Sequence, residues 1–221
     1  MLKLIIGNKA YSSWSMRGWL AVKQSGLPFE EITVPMFDED WNKRREDDEF
    51  GPSGGKVPIV WDDQNVIWDS LAIIEYLADK TDRARFWPAD DGARGMARSM
   101  AAEMHSSYEN LRREHSMNLR KRWPAKPLSE PVHAEIIRIL ELWAEARARH
   151  GGGGPFLFGD FGAVDIMFAP VVTRFVSYSI PAPRFAAAYM EAILHHPWIL
   201  QWIEAAQEEP WVIERYETPA T

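Results

Sequence analysis

Short apolar runs alternate with helix-like patterns over residues 1–80. Residues 2–6 (Leu-Lys-Leu-Ile-Ile) precede a Gly-Asn pair and predict a buried strand, and the alternating residues 29–34 predict a second strand. Between them, residues 15–24 carry apolar side chains at helical spacing and end before a glycine. The remaining predicted elements are a short polar helix at 40–48, a loop at 51–55, hairpin strands at 57–61 and 66–68, and a helix from 69. This β-α-β-α-β-β-α order predicts a small mixed sheet with helices packed on it.

From residue 93 onward the chain carries long Ala-, Glu- and Arg-rich patterns and little strand signal. Residues 129–149 place their apolar side chains on a single stripe, which predicts an amphipathic helix that the glycines at 151–154 end. Further helices are predicted at 93–121, 163–178, 184–194 and 197–208.

These patterns predict two domains of different class. An α/β domain covers 1–80, and an all-α domain covers 93–221. The segment 81–92 between them is rich in Asp, Pro and Gly, which is typical of a linker.

Composition narrows the classes of protein to which this chain can belong. With 221 residues, 46% of them hydrophobic and 11 of them tryptophan, the chain has enough apolar area for a folded core. It has no cysteine, which excludes disulfides, thiolate metal sites and a cysteine nucleophile. Its net charge of -7 argues against a nucleic-acid partner, and its six histidines show no metal-binding spacing. The chain has no apolar run of about 20 residues, as a membrane span requires, and its first apolar run is too short for a secretion signal, so we expect a cytoplasmic protein.

The first candidate for chemistry is the segment 11–17 (Tyr-Ser-Ser-Trp-Ser-Met-Arg), which lies between the first strand and the first helix. Hydroxyls at a helix start satisfy unpaired backbone N–H groups, so helix capping is one interpretation. The other is that a serine hydroxyl and the helix dipole stabilise a bound anion such as a thiolate. Tyr11 is an alternative hydroxyl donor, and Ser15 is an alternative cap that would leave Ser12 and Ser13 to face a site.

Two further motifs follow at the start of the predicted hairpin and of the third helix. Pro58 cannot donate a ladder hydrogen bond, so the backbone of Val57 is open to an extended peptide, although a simple loop-to-strand joint has the same sequence. Asp69 and Ser70 are ordinary helix caps, but together they also suit the ammonium and carboxylate of an amino-acid head group. In chain order the three motifs match the thiol, middle peptide and head of a γ-glutamyl tripeptide.

On these residues the chain resembles the cytosolic glutathione transferases, and among them the serine-type, zeta-like bacterial members. The segments 69–77 and 158–165 carry the same resemblance. It implies a thioredoxin-like N-terminal domain followed by an all-helical domain, a homodimer, and glutathione as co-substrate with no other cofactor. It also implies a small electrophile as the second substrate.

The resemblance also implies roles for individual residues. Ser12, or its neighbour Ser13, would hydrogen-bond the glutathione sulfur. The other implied contacts are Val57 on the cysteinyl backbone beside a cis Pro58, Asp69 and Ser70 on the γ-glutamyl group, and Lys56 on the glycine carboxylate.

The chain departs from the family pattern at two positions. Trp14 stands where the zeta pattern has cysteine, which argues against a maleylacetoacetate isomerase. Gly162 stands where a serine or threonine usually caps the helix that contains Asp165, so only half of a capping box remains. Glycine costs only a few tenths of a kcal/mol at a helix cap, so we expect the fold to survive.

The second substrate is expected between the domains, against the helix at 93–121, and is expected to be a hydrophobic electrophile. The candidates for its pocket are Trp14, Glu103, Met104, His105, Ser106, Tyr108, Arg112, Met117 and Asn118. Conjugation of glutathione to that electrophile is the leading hypothesis, with alkyl or aryl transfer as the reaction. A glutathione-dependent isomerase or peroxidase and a non-catalytic glutathione-binding module remain alternatives.

Overall fold

The computed structural model describes residues 1–218. Its N-terminal part is a four-stranded sheet with helices, in the predicted order. The elements are β1 (Leu2–Ile6), α1 (Ser13–Ser25), β2 (Phe29–Thr33), α2 (Trp41–Arg44), β3 (Ile59–Asp62), β4 (Asn65–Ile67) and α3 (Ser70–Lys80). The polar helix expected at 40–48 is thus a single turn, and the first helix starts two residues earlier than expected.

The sheet has the strand order β2-β1-β3-β4. β1 pairs in parallel with β2 and antiparallel with β3, and β3 and β4 form the predicted hairpin. Leu4 and Ile6 pack with α1 and α3 on one face, while Ile5 packs with Phe50 and Ile59 on the other. An unbroken apolar run is what a strand covered on both faces requires. The predicted thioredoxin-like architecture is confirmed.

The C-terminal part is helical, as predicted. Its helices are α4 (Asp91–Ser106), α5 (Glu109–Glu114), α6 (Glu130–His150), α7 (Ala163–Ser177), α8 (Arg184–Leu194) and α9 (Pro197–Glu208). The prediction of one helix over 93–121 is wrong, because the chain breaks after Ser106. Tyr108 has a left-handed backbone with φ 62, and its buried side chain donates a hydrogen bond of 2.6 Å to the Glu103 carboxylate. The burial of Tyr108 stabilises the break between α4 and α5, and the local sequence pattern contains no signal for it.

The segment that connects the two parts packs into the core and is hydrogen-bonded to the start of α7. Helix α4 begins inside the segment predicted as linker, and Phe86 and Trp87 just before it are each only 2% exposed. The Phe86 carbonyl accepts the N–H of Ala163 at 2.9 Å, and a Cβ at Gly162 would meet the same carbonyl at 2.8 Å. This close approach explains the glycine at the start of α7.

Side chains from both parts form one continuous core. Leu4 of the sheet and Trp143 and Trp202 of the helices belong to the same buried cluster. Helix α1 packs on α7, where Arg17 Nε donates to the carbonyl of Met167 at 2.9 Å although the arginine is fully buried. The start of α1 is therefore held rigidly against the second domain.

Asp165 makes stability depend on pH. Its carboxylate accepts the N–H groups of Gly162 at 2.9 Å and Leu157 at 3.2 Å, which is the surviving half of the capping box. Burial raises the pKa of Asp165 to about 7, whereas an unfolded aspartate has a pKa of about 4. The folded state thus binds the extra proton between pH 4 and 7, and stability falls as pH rises through that window.

We expect Asp165→Asn to remove this pH dependence. Between pH 4.5 and 7.5 the wild type should lose about 3 kcal/mol of unfolding free energy relative to the variant. Urea denaturation at both pH values measures the difference, and every other titrating group cancels in the comparison. A gap between the two proteins that stays constant with pH would contradict the prediction.

Candidate functional site

Two adjoining cavities meet at the N-terminus of α1. The larger has a volume of about 560 Å³ and the smaller about 260 Å³. Four residues line both cavities, namely Ser12, Trp14, Met36 and Phe37. Ser12 is therefore the hydroxyl at the junction, whereas Ser13 lines only the smaller cavity.

The larger cavity brings the three sequence motifs together. It is lined by Ser12, Lys56, Val57, Pro58, Asp69 and Ser70, together with aromatic and basic neighbours such as Trp41, Arg45 and Trp68. The Val57–Pro58 bond is cis, as the resemblance implied. Because β3 begins at Ile59, the backbone of Val57 stays outside the ladder, and Val57 is among the residues that line this cavity.

Ser12 caps α1, and it does so at the edge of the site. Its Oγ accepts the N–H of Ser15 at 3.2 Å and donates to Ser15 Oγ at 2.8 Å. The alternative in which Ser15 caps the helix is wrong, since Ser15 is fully buried one turn further on. Capping and facing the site are compatible, because Ser12 also lines both cavities.

Asp69 and Ser70 open α3 at the far end of the larger cavity. Asp69 Oδ1 caps the helix by accepting the N–H groups of Leu71 at 3.0 Å and Ala72 at 3.4 Å. Ser70 is fully buried, and its Oγ has no hydrogen-bond partner within residues 1–218. An unsatisfied buried hydroxyl costs about 1–3 kcal/mol, so this atom is well suited to a ligand that would satisfy it.

His105 lies in the larger cavity rather than with the second-substrate candidates. Its Nε2 is 2.7 Å from Asp69 Oδ2, and its ring meets the Trp14 ring edge-on with centroids 5.3 Å apart. The last turn of α4 carries the histidine across to the start of α3. The second domain thereby contributes a side chain to the motif region of the first.

The smaller cavity contains only part of the predicted second-substrate set. Its lining is Tyr11, Ser12, Ser13, Trp14, Met36, Phe37, Arg112, Ser116, Met117, Arg174 and Tyr216. Of the predicted set, Trp14, Arg112 and Met117 line this cavity. Glu103, Met104, Ser106, Tyr108 and Asn118 line neither described cavity. Ser106 is exposed, whereas Met104 and Tyr108 pack into the core.

Three arginines lie at or beside the smaller cavity: Arg174 and the half-buried Arg112 line it, and the buried Arg17 lies close to both. Arg174 is 3% exposed and holds Ser13 Oγ at 3.3 Å and the Pro170 carbonyl at 3.0 Å. Arg17 lies behind Trp14, 4.6 Å from its ring, and its two Nη atoms have no partner within residues 1–218. Burial and repulsion by Arg112 lower the pKa of Arg174 to about 10, and burial and both other arginines lower the pKa of Arg17.

None of the residues that line the smaller cavity, within the described chain, is acidic. A partly desolvated cationic wall with no acidic residue in its lining is complementary to an anion, although Glu109 and Glu135 act on Arg112 from outside the cavity. The sequence contains one signal for Arg174, because it is a charged residue within the largely apolar pattern of α7. Tyr216 comes from the distant C-terminal segment and has no such local signal.

Tyr11 is not placed as a donor to the larger cavity. Its hydroxyl donates to Glu217 Oε1 at 2.6 Å, and burial together with this carboxylate raises the pKa of Tyr11 to about 12. The ring forms part of the wall of the smaller cavity.

Metal and membrane features are not found in residues 1–218. No group of three or more potential ligands is placed to hold a metal ion in this part of the chain. None of its helices combines the length and apolarity needed to cross a bilayer.

Comparison with known proteins identifies the family of this chain. The glutathione S-transferase N-terminal domain family matches residues 11–80, and the C-terminal domain family matches residues 106–205. The chain belongs to the glutathione S-transferase family. Glutathione S-transferase GstB of Escherichia coli K12 is 23% identical over 188 residues, which cover 80% of this chain and 90% of that protein.

Solved structures of this family share the fold. A glutathione transferase homologue from Burkholderia gl BGR1, solved with bound glutathione, has a TM-score of 0.68 at 22% identity and covers 94% of this chain and 98% of its own. A diazinon-metabolizing glutathione S-transferase of the silkworm Bombyx mori has a TM-score of 0.71 at 15% identity, with coverage of 94% and 98%.

Proposed function

We propose that this protein transfers glutathione to a small electrophile that carries an anionic group, with Ser12 stabilising the glutathione thiolate. The observation that carries the proposal is the position of Ser12 at the junction of two cavities. One cavity has the chemistry for a γ-glutamyl tripeptide, and the other has a cationic, partly apolar wall. A sulfur held at Ser12 would face a reactant in the smaller cavity.

Glutathione would lie along the larger cavity in the order of the motifs. Its γ-glutamyl carboxylate would accept a hydrogen bond from the unpartnered Ser70 Oγ, and its ammonium would meet Asp69. The cysteinyl backbone would pair with Val57 in the manner of an added strand. The glycine carboxylate would lie near Lys56 and Arg45, the two cations that line this cavity.

The thiolate is the nucleophile, and the substrate supplies it. A free thiol has a pKa of about 8.5. Lowering that pKa to about 6.5 needs about 2.7 kcal/mol of preferential stabilisation of the thiolate. One hydrogen bond from Ser12 to the charged sulfur supplies about 1.5–3 kcal/mol, and the N-terminus of α1 adds up to about 1 kcal/mol. The buried arginines add positive potential, so no metal or protein base is required for the activation.

The second substrate differs from the purely hydrophobic electrophile expected from the sequence. Arg112 and Arg174 would hold its anionic group, such as a carboxylate, while Met117 and Phe37 would cover its apolar part. Bound in this way, its electrophilic carbon would face the sulfur at Ser12. Proximity and thiolate stabilisation are then the two contributions of the protein to the rate.

Two measurements test the proposal directly. Calorimetric titration should show one glutathione site per chain, and a panel of electrophiles, enones and peroxides should reveal glutathione-dependent turnover for an aryl or alkyl halide. If glutathione does not bind, the enzyme hypothesis fails. If it binds but only peroxides or enones react, the alternative reaction classes replace conjugation.

Ser70→Ala should separate binding from stability. Removing the unpartnered buried hydroxyl should leave the unfolding free energy unchanged or slightly raised. Glutathione affinity should fall about tenfold, because one charge-assisted hydrogen bond of about 1.5 kcal/mol is lost. Calorimetry and thermal denaturation measure the two quantities. Ser25→Ala is the matched control, because that buried serine donates to the Val22 carbonyl and lies outside both cavities: it should lose stability but not affinity.

A further inference from the structure

Ser15 lies directly behind the hydroxyl of Ser12. It is fully buried, and it lines neither of the two cavities described above. Its Oγ is 2.8 Å from Ser12 Oγ and accepts the backbone N–H of Gly7, at the end of β1, at 2.9 Å. Three hydrogen-bonding groups therefore lie in a row that ends at the junction of the cavities.

The protons of this row can be counted. The N–H of Gly7 can only donate, so Ser15 Oγ must be an acceptor there. In the structure the Ser12 hydroxyl donates to Ser15 Oγ as well, and the Ser15 hydroxyl donates to no other group within residues 1–218. In the protein without ligand, the Ser12 hydroxyl proton is thus donated to Ser15 Oγ, while the Ser15 hydroxyl proton has no acceptor within residues 1–218.

We propose that Ser15 is a positioning residue that reverses its hydrogen bond with Ser12 when the thiolate binds. This inference rests on the proposed role of Ser12. The Ser12 hydroxyl turns its proton to the sulfur, and the Ser15 hydroxyl turns its own proton to Ser12 Oγ. A separation of 2.8 Å serves either direction of the bond. Only two hydroxyl groups rotate, and no covalent bond forms or breaks.

The reversed chain runs from the Gly7 N–H through Ser15 and Ser12 to the sulfur. Each donated proton polarises the next hydroxyl and makes it a stronger donor. Two sets of charged or titratable groups lie around this end of α1. Arg17, Arg112 and Arg174 form one cationic cluster, and Arg45, Lys56, Asp69 and His105 line the larger cavity with Ser12. They are the same in every variant of the test, so they do not contribute to the differences measured.

The test is a double-mutant cycle on the pKa of bound glutathione. Glutathione labelled with ¹³C at its cysteinyl Cβ reports the ionisation of its own thiol by NMR as pH is varied. Ser15→Ala should raise that pKa by about 0.5, because the Ser12 donor loses its cooperative support. In the Ser12→Ala background, Ser15→Ala should have no effect, since the chain to the sulfur is already cut.

A merely structural role for Ser15 gives a different pattern. Loss of the bond to Gly7 would weaken the fold of both backgrounds equally and would leave the thiol pKa unchanged. Ser25→Ala is the matched control, because it removes another buried hydroxyl of α1, bonded to the Val22 carbonyl, far from both cavities. It should lower stability without moving the thiol pKa.

Each remaining outcome has one meaning. No rise with Ser15→Ala, or an equal rise in both backgrounds, overturns the proposal. No rise with Ser12→Ala instead overturns the assigned role of Ser12. If Ser15→Ala does not fold, Ser15→Cys takes its place: its thiol is a weak donor of similar shape, so a smaller rise that vanishes in the Ser12→Ala background is expected, and its absence overturns the proposal.

Discussion

Ser12→Ala is expected to lower kcat/KM for glutathione transfer at pH 6.5 by about 10- to 100-fold. The variant loses one hydrogen bond to a charged sulfur, about 1.5–3 kcal/mol, which raises the pKa of the bound thiol by about one to two and depletes the reactive thiolate. The rate should recover as pH rises towards 9. A pH profile of kcat/KM for wild type and variant measures both effects.

Ser13→Ala is the matched control for that experiment. Its hydroxyl is one residue away and similarly buried, but it lines only the smaller cavity and accepts a hydrogen bond from Arg174. We expect kcat/KM of this variant to stay within about threefold of the wild type across the pH profile. That change is smaller than the effect of losing one hydrogen bond to a charged group. Because loss of the Ser12 cap also costs the fold about 1 kcal/mol, thermal denaturation must show that the assayed protein is folded. A larger shift for Ser13 than for Ser12 would reverse the assignment.

Arg112→Gln is expected to abolish a preference for charged electrophiles. The assay compares 4-chloro-3,5-dinitrobenzoate with its amide, each rate being divided by the uncatalysed rate with glutathione. The wild type should favour the carboxylate, since Arg112 and Arg174 face the smaller cavity without an acidic residue among its described lining. Loss of one charge-assisted contact should lower kcat/KM for the carboxylate about 10- to 100-fold and leave the amide nearly unchanged.

Arg113→Gln provides the control for net charge. This residue is on the same helix, but its side chain is 65% exposed and lines neither described cavity. Its loss should change the rate with the carboxylate only slightly, and that change should vanish at high salt because exposed charges are screened. A wild type that prefers the amide would refute the anionic second substrate while leaving glutathione binding untouched.

Local signals account for most of the fold that could be predicted from the sequence. Helices α8 and α9 begin and end where the pattern predicts, because prolines and apolar spacing mark them within a few residues. The break at Tyr108 could not be predicted, because a buried hydrogen bond to Glu103 fixes it and no glycine or proline announces it. The start of α1 at Ser13 was missed by two residues for a similar reason: the cap at Ser12 gains from bonds to Ser15.

The candidate site also combines residues that local sequence signals predict with residues that only tertiary packing brings in. The motifs at Ser12, Val57 and Asp69 lie at element boundaries, where residue type and backbone geometry are tightly coupled, so the sequence places them well. Tyr216 reaches the smaller cavity through tertiary packing over a long stretch of chain, which no local pattern encodes. Arg174 has a local signal as a charged residue in the largely apolar α7, but that signal does not say which cavity the residue lines. Homodimerisation and membership of a serine-type, zeta-like class stay predictions.

The contact between α1 and α7 has a consequence for how this molecule could be divided. A cut after residue 80 would leave the guanidinium of Arg17 without its Met167 carbonyl and would strip the apolar faces of α1 and α3 of their cover. The sheet and its helices are thus not an excisable unit, although their topology suggests one. Grafting this half onto a different helical partner would require redesign of the shared interior, and recombination between relatives would succeed only where both surfaces are exchanged together.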